Sequence, residues 1–383
     1  MESAALLVPL LVLLVLTIVS RVRTVDRLRS ARPLRTELPE GWRAAVLVAT
    51  RNGEGTIAQT IESVSRQAEV YVVSDGSDDE TAATARASGA TVLELAENVG
   101  KPAAIHRALA AFGLLDRYDA VAILDDDTIV APDFMRRALL AMKPGVGIVC
   151  GRTITRWDAS TRWNVFVGSR AFAYWRYQAG LRRGQSAVNA MTCISGSNSV
   201  YRTSVLREVV VERTPYIVDD TWWTLETVRR GLGRIVYAPD ARAWICDPLT
   251  LRDWWRQNVR WNWAMFQGIW GHRVGRQPHW FDVAYVLLVL DWCLYVFAAP
   301  TFVAMIALTG RGDPVRFALW YAVGVFSWVA VAATATRSWR LLVMTPAIVV
   351  IDWIYRITFL HALARAIRQP RVEICRWESP ARY

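Results

Sequence analysis

The sequence predicts an α/β open-sheet domain joined to α-helical transmembrane and interfacial helices, and three observations predict it. Between Trp42 and about Val236, short apolar runs alternate with helical stretches. Continuous apolar runs suit parallel strands covered on both faces, and strand–helix–strand repetition builds an open sheet. Apolar residues make up 53% of the 383, high for a purely water-soluble enzyme. Finally, long apolar runs flank the mixed region on both sides.

In chain order, Ala4 to Ser20 is an almost unbroken apolar run, followed by Arg21, Arg23, Arg27, Arg29, Arg32 and Arg35. A cleaved signal peptide carries its positive charges before the apolar core. An anchor helix over 1–20 is therefore expected, with the arginines holding the next domain in the cytoplasm. Residues 21–250 form that expected cytoplasmic domain of a multi-pass plasma (inner) membrane protein. Strands are expected at Ala44–Ala49, Val70–Val73 and Ala120–Leu124, and a helix over Thr56–Arg66. Ligands of such sheets bind beyond the carboxyl ends of the strands. Three polar clusters stand there: Arg51-Asn52-Gly53-Glu54, Asp75-Gly76-Ser77-Asp78 and Asp125-Asp126-Asp127.

Residues 251–280 form an expected interfacial segment. Leu251 to Trp270 sets Trp254, Trp255, Trp261, Trp263 and Trp270 among arginines, too polar to span a bilayer. Within 281–383, Phe281–Leu308, Phe317–Ala335 and Leu341–Leu360 can each span ~30 Å of hydrocarbon. Asp291, Asp352 and Arg356 are costly there and suggest a polar pathway or helix pairing, Asp352 and Arg356 being spaced to pair. Four spans put the C-terminal tail outside, whereas Arg365, Arg368, Arg371 and Arg376 argue for inside. One run that is re-entrant or interfacial would remove the conflict.

The formal charge of +11 suits nucleic acid, an anionic membrane surface or phosphorylated substrates. No nucleic-acid motif is present and arginines flank the apolar runs, so the bilayer is the expected partner and nucleic acid is not. Cys150, Cys193, Cys246, Cys293 and Cys375 lack metal-ligand spacing and read as reduced, buried hydrophobes.

Four clusters can carry chemistry. Asp125-Asp126-Asp127 succeeds an apolar strand, where crowded carboxylates need a cation or donors; a solvated acidic turn is the alternative. Asp75-Gly76 can recognise a base or ribose, or can simply turn the chain. Asp219-Asp220 either caps the next helix or supplies a general base to an acceptor hydroxyl. Gln257, Arg260 and Trp261 share one helix face, where Arg can fork onto a diphosphate and Trp can flank a sugar or a membrane surface.

In this order the motifs resemble the processive family 2 glycosyltransferases: hyaluronan, chitin and cellulose synthases and the nodulation chito-oligosaccharide synthases. The resemblance runs from Arg43 to Gly268 and takes in Asn98-Val99-Gly100-Lys101 and Cys193 to Arg202, the last most like hyaluronan synthases. It implies a GT-A fold, a UDP-sugar donor, Mg²⁺ or Mn²⁺, and an inverted, β-linked product. It also implies that Asp75 contacts uridine with Asn52, Glu54 and Lys101 nearby. Asp125 and Asp127 would bind the nucleotide and its metal, and Asp220 would be the catalytic base. Gln257 and Arg260 would grip the diphosphate, while Trp261, Ser195 and Gly196 meet the acceptor. Two departures stand out. Asp219 replaces the Glu of many members, and the C-terminal membrane part is short, which leaves open short products, a homo-oligomer or a lipid acceptor. A polysaccharide synthase and a lipid-directed transferase are thus the two readings; intact acidic motifs argue against a silent scaffold.

Overall fold

The computed structural model describes residues 36–310 and 312–373. The expected anchor helix over 1–20, its arginines, Cys375 and Arg376 lie outside them. The three strands expected from sequence form as β1 (Ala44–Thr50), β2 (Glu69–Asp75) and β4 (Ala120–Asp125), with β3 (Thr91–Leu95) beyond β2. These four run parallel in the order β3-β2-β1-β4. Beyond β4 the sheet continues through β7 (Asn198–Arg202), β6 (Val146–Thr155), β8 (Arg234–Ile245) and β5 (Ile129–Val130). Strand β7 is antiparallel to both β4 and β6.

Alternation along β1 feeds two cores. Val46 and Val48 pack with Ile57 and Ile61 of α1 (Ile57–Val64) and with Phe134 of a helix on the same face. Ala45 and Leu47 pack on the other face with Ile105 and Leu109 of α2 (Lys101–Ala111) and with Trp223. Each fully buried Leu or Ile contributes about 1.5–3 kcal/mol of transfer free energy. Burial on both faces is why these strands read as unbroken apolar runs. Strands β6 and β8 are not legible that way: they alternate with polar residues and shift register at two places.

Beyond the sheet lie α3 (Phe134–Ala141), α4 (Val165–Arg176), α5 (Asp219–Arg229) and α6 (Leu251–Gly271). Helix α6 matches the expected amphipathic segment. It packs closely on α5 at Gly268, where a Cβ would strike Leu225 and Thr221.

Three later helices are long and apolar enough to cross a membrane: α7 (Trp280–Thr309), α8 (Pro314–Thr336) and α9 (Thr345–Arg368). The base of α7 is fixed to the domain by Asp282, whose carboxylate takes two hydrogen bonds from Arg229 at 2.6 and 2.8 Å. Asp352 and Arg356 pair across one turn of α9 at 2.6 Å. Tyr295 of α7 and Tyr321 of α8 both donate hydroxyl hydrogen bonds to Asp352. The Arg356 guanidinium lies 4.4 Å from the centre of the Tyr295 ring. The pair therefore knits three helices together, whereas Asp291 stands exposed on α7. Among the described cysteines all four are free thiols, Cys150 and Cys246 buried, Cys193 and Cys293 half-buried.

Candidate active site

Each acidic cluster sits where a strand ends or a helix begins. After β1 the chain turns through Asn52, a residue type that tolerates its left-handed φ of 53°. Asn52 Oδ1 accepts from the Asp78 amide at 3.1 Å, and Glu54 Oε2 accepts from the Glu80 amide at 3.0 Å. These two side chains thus clasp the loop after β1 to the loop after β2. Asp75, at the end of β2, is buried and accepts from the amides of Val99 at 2.7 Å and Gly100 at 2.9 Å. Gly76 adopts φ +62°, and a Cβ there would press on the backbone of Glu97 and Asn98. Glycine is needed for both reasons.

Asp75 so fixes the entry to α2, whose first residue is Lys101. Lys101 Nζ reaches across to Asp125 Oδ1 at 2.6 Å, at the end of β4. Burial opposes the Lys101 charge, yet Asp125, Asp219 and Asp220 outweigh it and hold the ammonium protonated well above its ordinary range. Asp126 turns inward instead. It is 2% exposed, accepts from Thr50 Oγ1, and its carbonyl accepts from Thr60. Asp127 faces out again, half-buried, within charge range of Tyr174.

Asp219 and Asp220 occupy the first turn of α5, and the N-cap position is Val218. Neither is the helix cap, but both stand in the first turn, where a carboxylate also favours the helix N-terminus. Burial and the Asp219 charge push the Asp220 carboxyl up to about 8, against the opposing pull of Lys101 and Arg260. One buried oxygen on each of the two has no hydrogen-bond partner among the described residues. Gly196 packs directly on Asp220, where a Cβ would collide with both carboxylate oxygens. Ser195 beside it hydrogen-bonds Thr153 at 3.0 Å and Ser197 at 3.2 Å. A methyl group at Gly196 would therefore displace the Asp220 carboxylate.

Gln257 and Trp261 are expected from sequence to face ligands, and a residue that the motifs do not include engages both. Arg170 of α4, 5% exposed, donates to Gln257 Oε1 at 2.8 Å and to Asn258 Oδ1 at 3.3 Å. Its guanidinium lies 4.6 Å from the Trp261 ring centre and 3.6 Å from Asp247. The sequence holds no signal for it: Arg170 is one arginine among many, and its burial, which makes a partner necessary, comes only from the fold. Arg260, between the two on α6, is half-buried and acts on Asp220.

Among the described residues, no group of three or more His, Cys, Asp or Glu forms a metal cage. The donors at the end of β4 are two carboxylates, Asp125 and Asp127. That set fits a hard divalent cation that completes its shell with substrate phosphates.

The open sheet with acidic strand ends defines a GT-A-type glycosyltransferase. More narrowly, the chain belongs to the glycosyltransferase like family 2, whose profile matches residues 41–264, more than half of its length. Relatives include the poly-β-1,6-N-acetyl-D-glucosamine synthase of Staphylococcus aureus (strain MSSA476), 29% identical over 225 residues, covering 56% of this chain and 52% of that protein. The Staphylococcus epidermidis protein of the same name is 28% identical over 246 residues, with 61% and 56% coverage. The chain thus spans about half the length of these curated relatives. A mannosyltransferase from Pyrobaculum calidifontis, solved with GDP-Man and Mn²⁺, shares the fold at TM-score 0.57 and 19% identity, covering 90% of this chain and 97% of that one.

Proposed function

We propose that the chain is a membrane-embedded, inverting, metal-dependent glycosyltransferase that moves sugar from a UDP-sugar to a growing poly- or oligosaccharide. The observation that carries this reading is Asp220: half-buried, with raised proton affinity and one carboxylate oxygen without a hydrogen-bond partner among the described residues, grouped with Lys101, Asp125 and Arg260. Kinship with polysaccharide synthases supports the acceptor class.

In this reading Asp220 takes the proton of the acceptor hydroxyl. The hydroxyl oxygen bonds to the anomeric carbon from the face opposite the diphosphate, inverting it. The bond to the diphosphate oxygen breaks, its electron pair leaving with the diphosphate, where Arg260 offsets the charge. Asp127, with Asp125, would hold Mg²⁺ or Mn²⁺, which supplies Lewis-acid stabilisation of the leaving group when bound. Asn52, Glu54 and Asp75 shape the nucleotide end, with Lys101 beside it. Gln257 and Arg260 serve the diphosphate, and Trp261, Ser195 and Gly196 line the acceptor end. Residues 21–250 form the catalytic domain, 251–280 the interfacial segment and 281–383 the membrane part, in an inner-membrane protein with its catalytic domain cytoplasmic.

The deciding experiment feeds the purified protein, in nanodiscs, a panel of radiolabelled UDP-sugars. Label in a polymer supports the proposal, label in an organic extract assigns a lipid acceptor, and no transfer from any donor rejects it. Asp127→Ala should weaken Mn²⁺-dependent UDP binding by about tenfold or more, read by titration calorimetry. The pH profile provides a separate check. Only ionised Asp220 accepts a proton, so kcat should rise with pH along an acidic limb displaced above the ordinary carboxylate range. Asp219 raises that proton affinity, so Asp219→Asn should move the limb toward acid.

A further inference from the structure

Strands β6 and β8 leave regular pairing beside an unusual turn of helix. Gly151 stands opposite Ala238 and Arg152 opposite Arg242, so Pro239-Asp240-Ala241 form a bulge in β8 between the two pairs. Bulges re-aim side chains and are over-represented beside active sites. After α4 the chain runs through a π-helical turn, Tyr177–Arg182, into a helical turn, Arg183–Ala187. π-helical turns are rare and concentrate at functional sites. The helical turn and the residues after it dock on the edge of β8, ahead of Ala243 and Trp244 where β5 pairs. Ser186 Oγ accepts from the Tyr237 amide at 2.9 Å, and Asn189 Oδ1 accepts from the Ile235 amide at 3.3 Å. Moving back along the helix thus moves forward along β8. One turn before Ser186 stands Arg183, level with the bulge.

Register and docking therefore bring three arginines to one bulge: Arg152, Arg183 and Arg242, all half-buried. Asp240, the acid of the bulge, pairs instead with Arg137 of α3 at 3.8 Å. Among the described residues none of the three guanidiniums has an ion pair or a hydrogen bond, and Arg183 Nε is buried without one. Arg242 has the face of Trp244, 5.8 Å from the ring centre. Burial weakens the hold of Arg152 on its proton; Tyr237 opposes this, and Arg242 and Arg183 add to it. A lysine so placed could become neutral, but an arginine stays charged in a protein. A bound anion is the remaining way to offset three like charges, and the fork of each guanidinium matches phosphate oxygens.

We propose that Arg152, Arg183 and Arg242 form a second anion site, which takes the phosphate group of a ligand other than the sugar donor. The site lies on different elements from Asp75, Lys101 and Asp125, but it adjoins Thr153, which hydrogen-bonds Ser195 at 3.0 Å. Gln178 of the π-helical turn accepts from the Thr153 amide at 2.9 Å, donates to its carbonyl at 2.6 Å and accepts from Tyr237 at 3.4 Å. A phosphate held there fixes Arg152 and, through the next residue, the Thr153–Ser195 contact. A soluble ligand and a lipid headgroup offer the same phosphate chemistry.

Titration calorimetry on the full-length protein in phosphatidylcholine nanodiscs, with EDTA and fixed ionic strength, tests this with inorganic pyrophosphate as the probe. The parent should bind it. Arg152→Gln with Arg242→Gln should weaken binding by about tenfold or more, and Arg183→Gln, on a separate element, should weaken it as well. Arg260→Gln, which alters the diphosphate grip of the proposed active site, should bind as the parent does. No binding by the parent, or loss in Arg260→Gln with none in the double variant, overturns the proposal. Melting curves separate binding from folding. Without anion the double variant should melt no lower than the parent, since it removes like charges, and pyrophosphate should raise the parental melting temperature alone. A double variant that melts well below the parent in phosphate-free buffer shows that the arginines serve the fold, which also rejects the site. Phosphatidic acid in the nanodisc separates the two sources: competition with pyrophosphate identifies a lipid phosphate, and no competition a soluble one.

Discussion

Asp220→Asn should abolish sugar transfer while leaving donor binding within a few-fold of the parent. General-base catalysis contributes about 10²–10⁴ in rate, or about 3–5.5 kcal/mol of barrier. Asparagine keeps the size of the side chain but cannot accept the proton. Asp75, Lys101 and Asp125, which the proposal gives to the donor, keep their own side chains and the Lys101–Asp125 pair. The same substitution should not weaken the fold. Burial and Asp219 raise the Asp220 proton affinity in the folded protein to about 8, from an ordinary value near 4. A carboxyl shifted upward in this way costs stability progressively as pH rises between those values, and fully above the upper one. Asn carries no such cost, so the variant should match or exceed the parent in thermal stability at pH 8.5. Single-turnover transfer, UDP titration and a melting curve test the three parts together. A variant that transfers sugar at the parental rate removes Asp220 as the base; one that loses UDP binding shows that it serves the donor instead.

The legibility of this site depends on the kind of pattern each part leaves in the chain. Strands covered on both faces leave unbroken apolar runs, so β1, β2 and β4 could be read, and with them the positions of Asn52, Asp75 and Asp125 at their ends. Local spacing also gave α6, because a tryptophan- and arginine-rich helix repeats at its own period. The inward turn of Asp126 between outward neighbours was not legible, since Asp125-Asp126-Asp127 reads as three equivalent acids. Neither was the packing of Gly196 on Asp220, a contact set by the β7 end and the α5 start meeting in space. Hydropathy made α9 look like its two neighbours. Its difference lies in what covers one face, and composition carries no record of that.

Arg170 is the clearest case of a residue whose importance only the fold reveals, and replacing it should have the largest effect on stability. Its guanidinium closes a buried group of Asp247, Gln257, Asn258 and Trp261. Arg170→Met would leave Asp247 buried without its cation, and breaking a buried pair this way costs about 3–5 kcal/mol. The pH dependence distinguishes this from a simple packing defect. Burial already raises the Asp247 proton affinity to about 6, with Arg170 pulling it down. Without Arg170 it rises further, so ionised Asp247 penalises the variant most at neutral and alkaline pH. As pH falls toward 5 the carboxyl takes up its proton and the deficit should shrink. Arg170→Met with Asp247→Asn should recover much of the loss at pH 8, since no charge is then left unpaired. Arg170→Lys should fall between, keeping the charge but losing the planar fork that serves Gln257 and Trp261 together. Melting temperatures of the four proteins at pH 5 and pH 8 decide the matter. A deficit independent of pH, or a double variant no better than the single one, would mean that Arg170 acts through its volume and not through its charge.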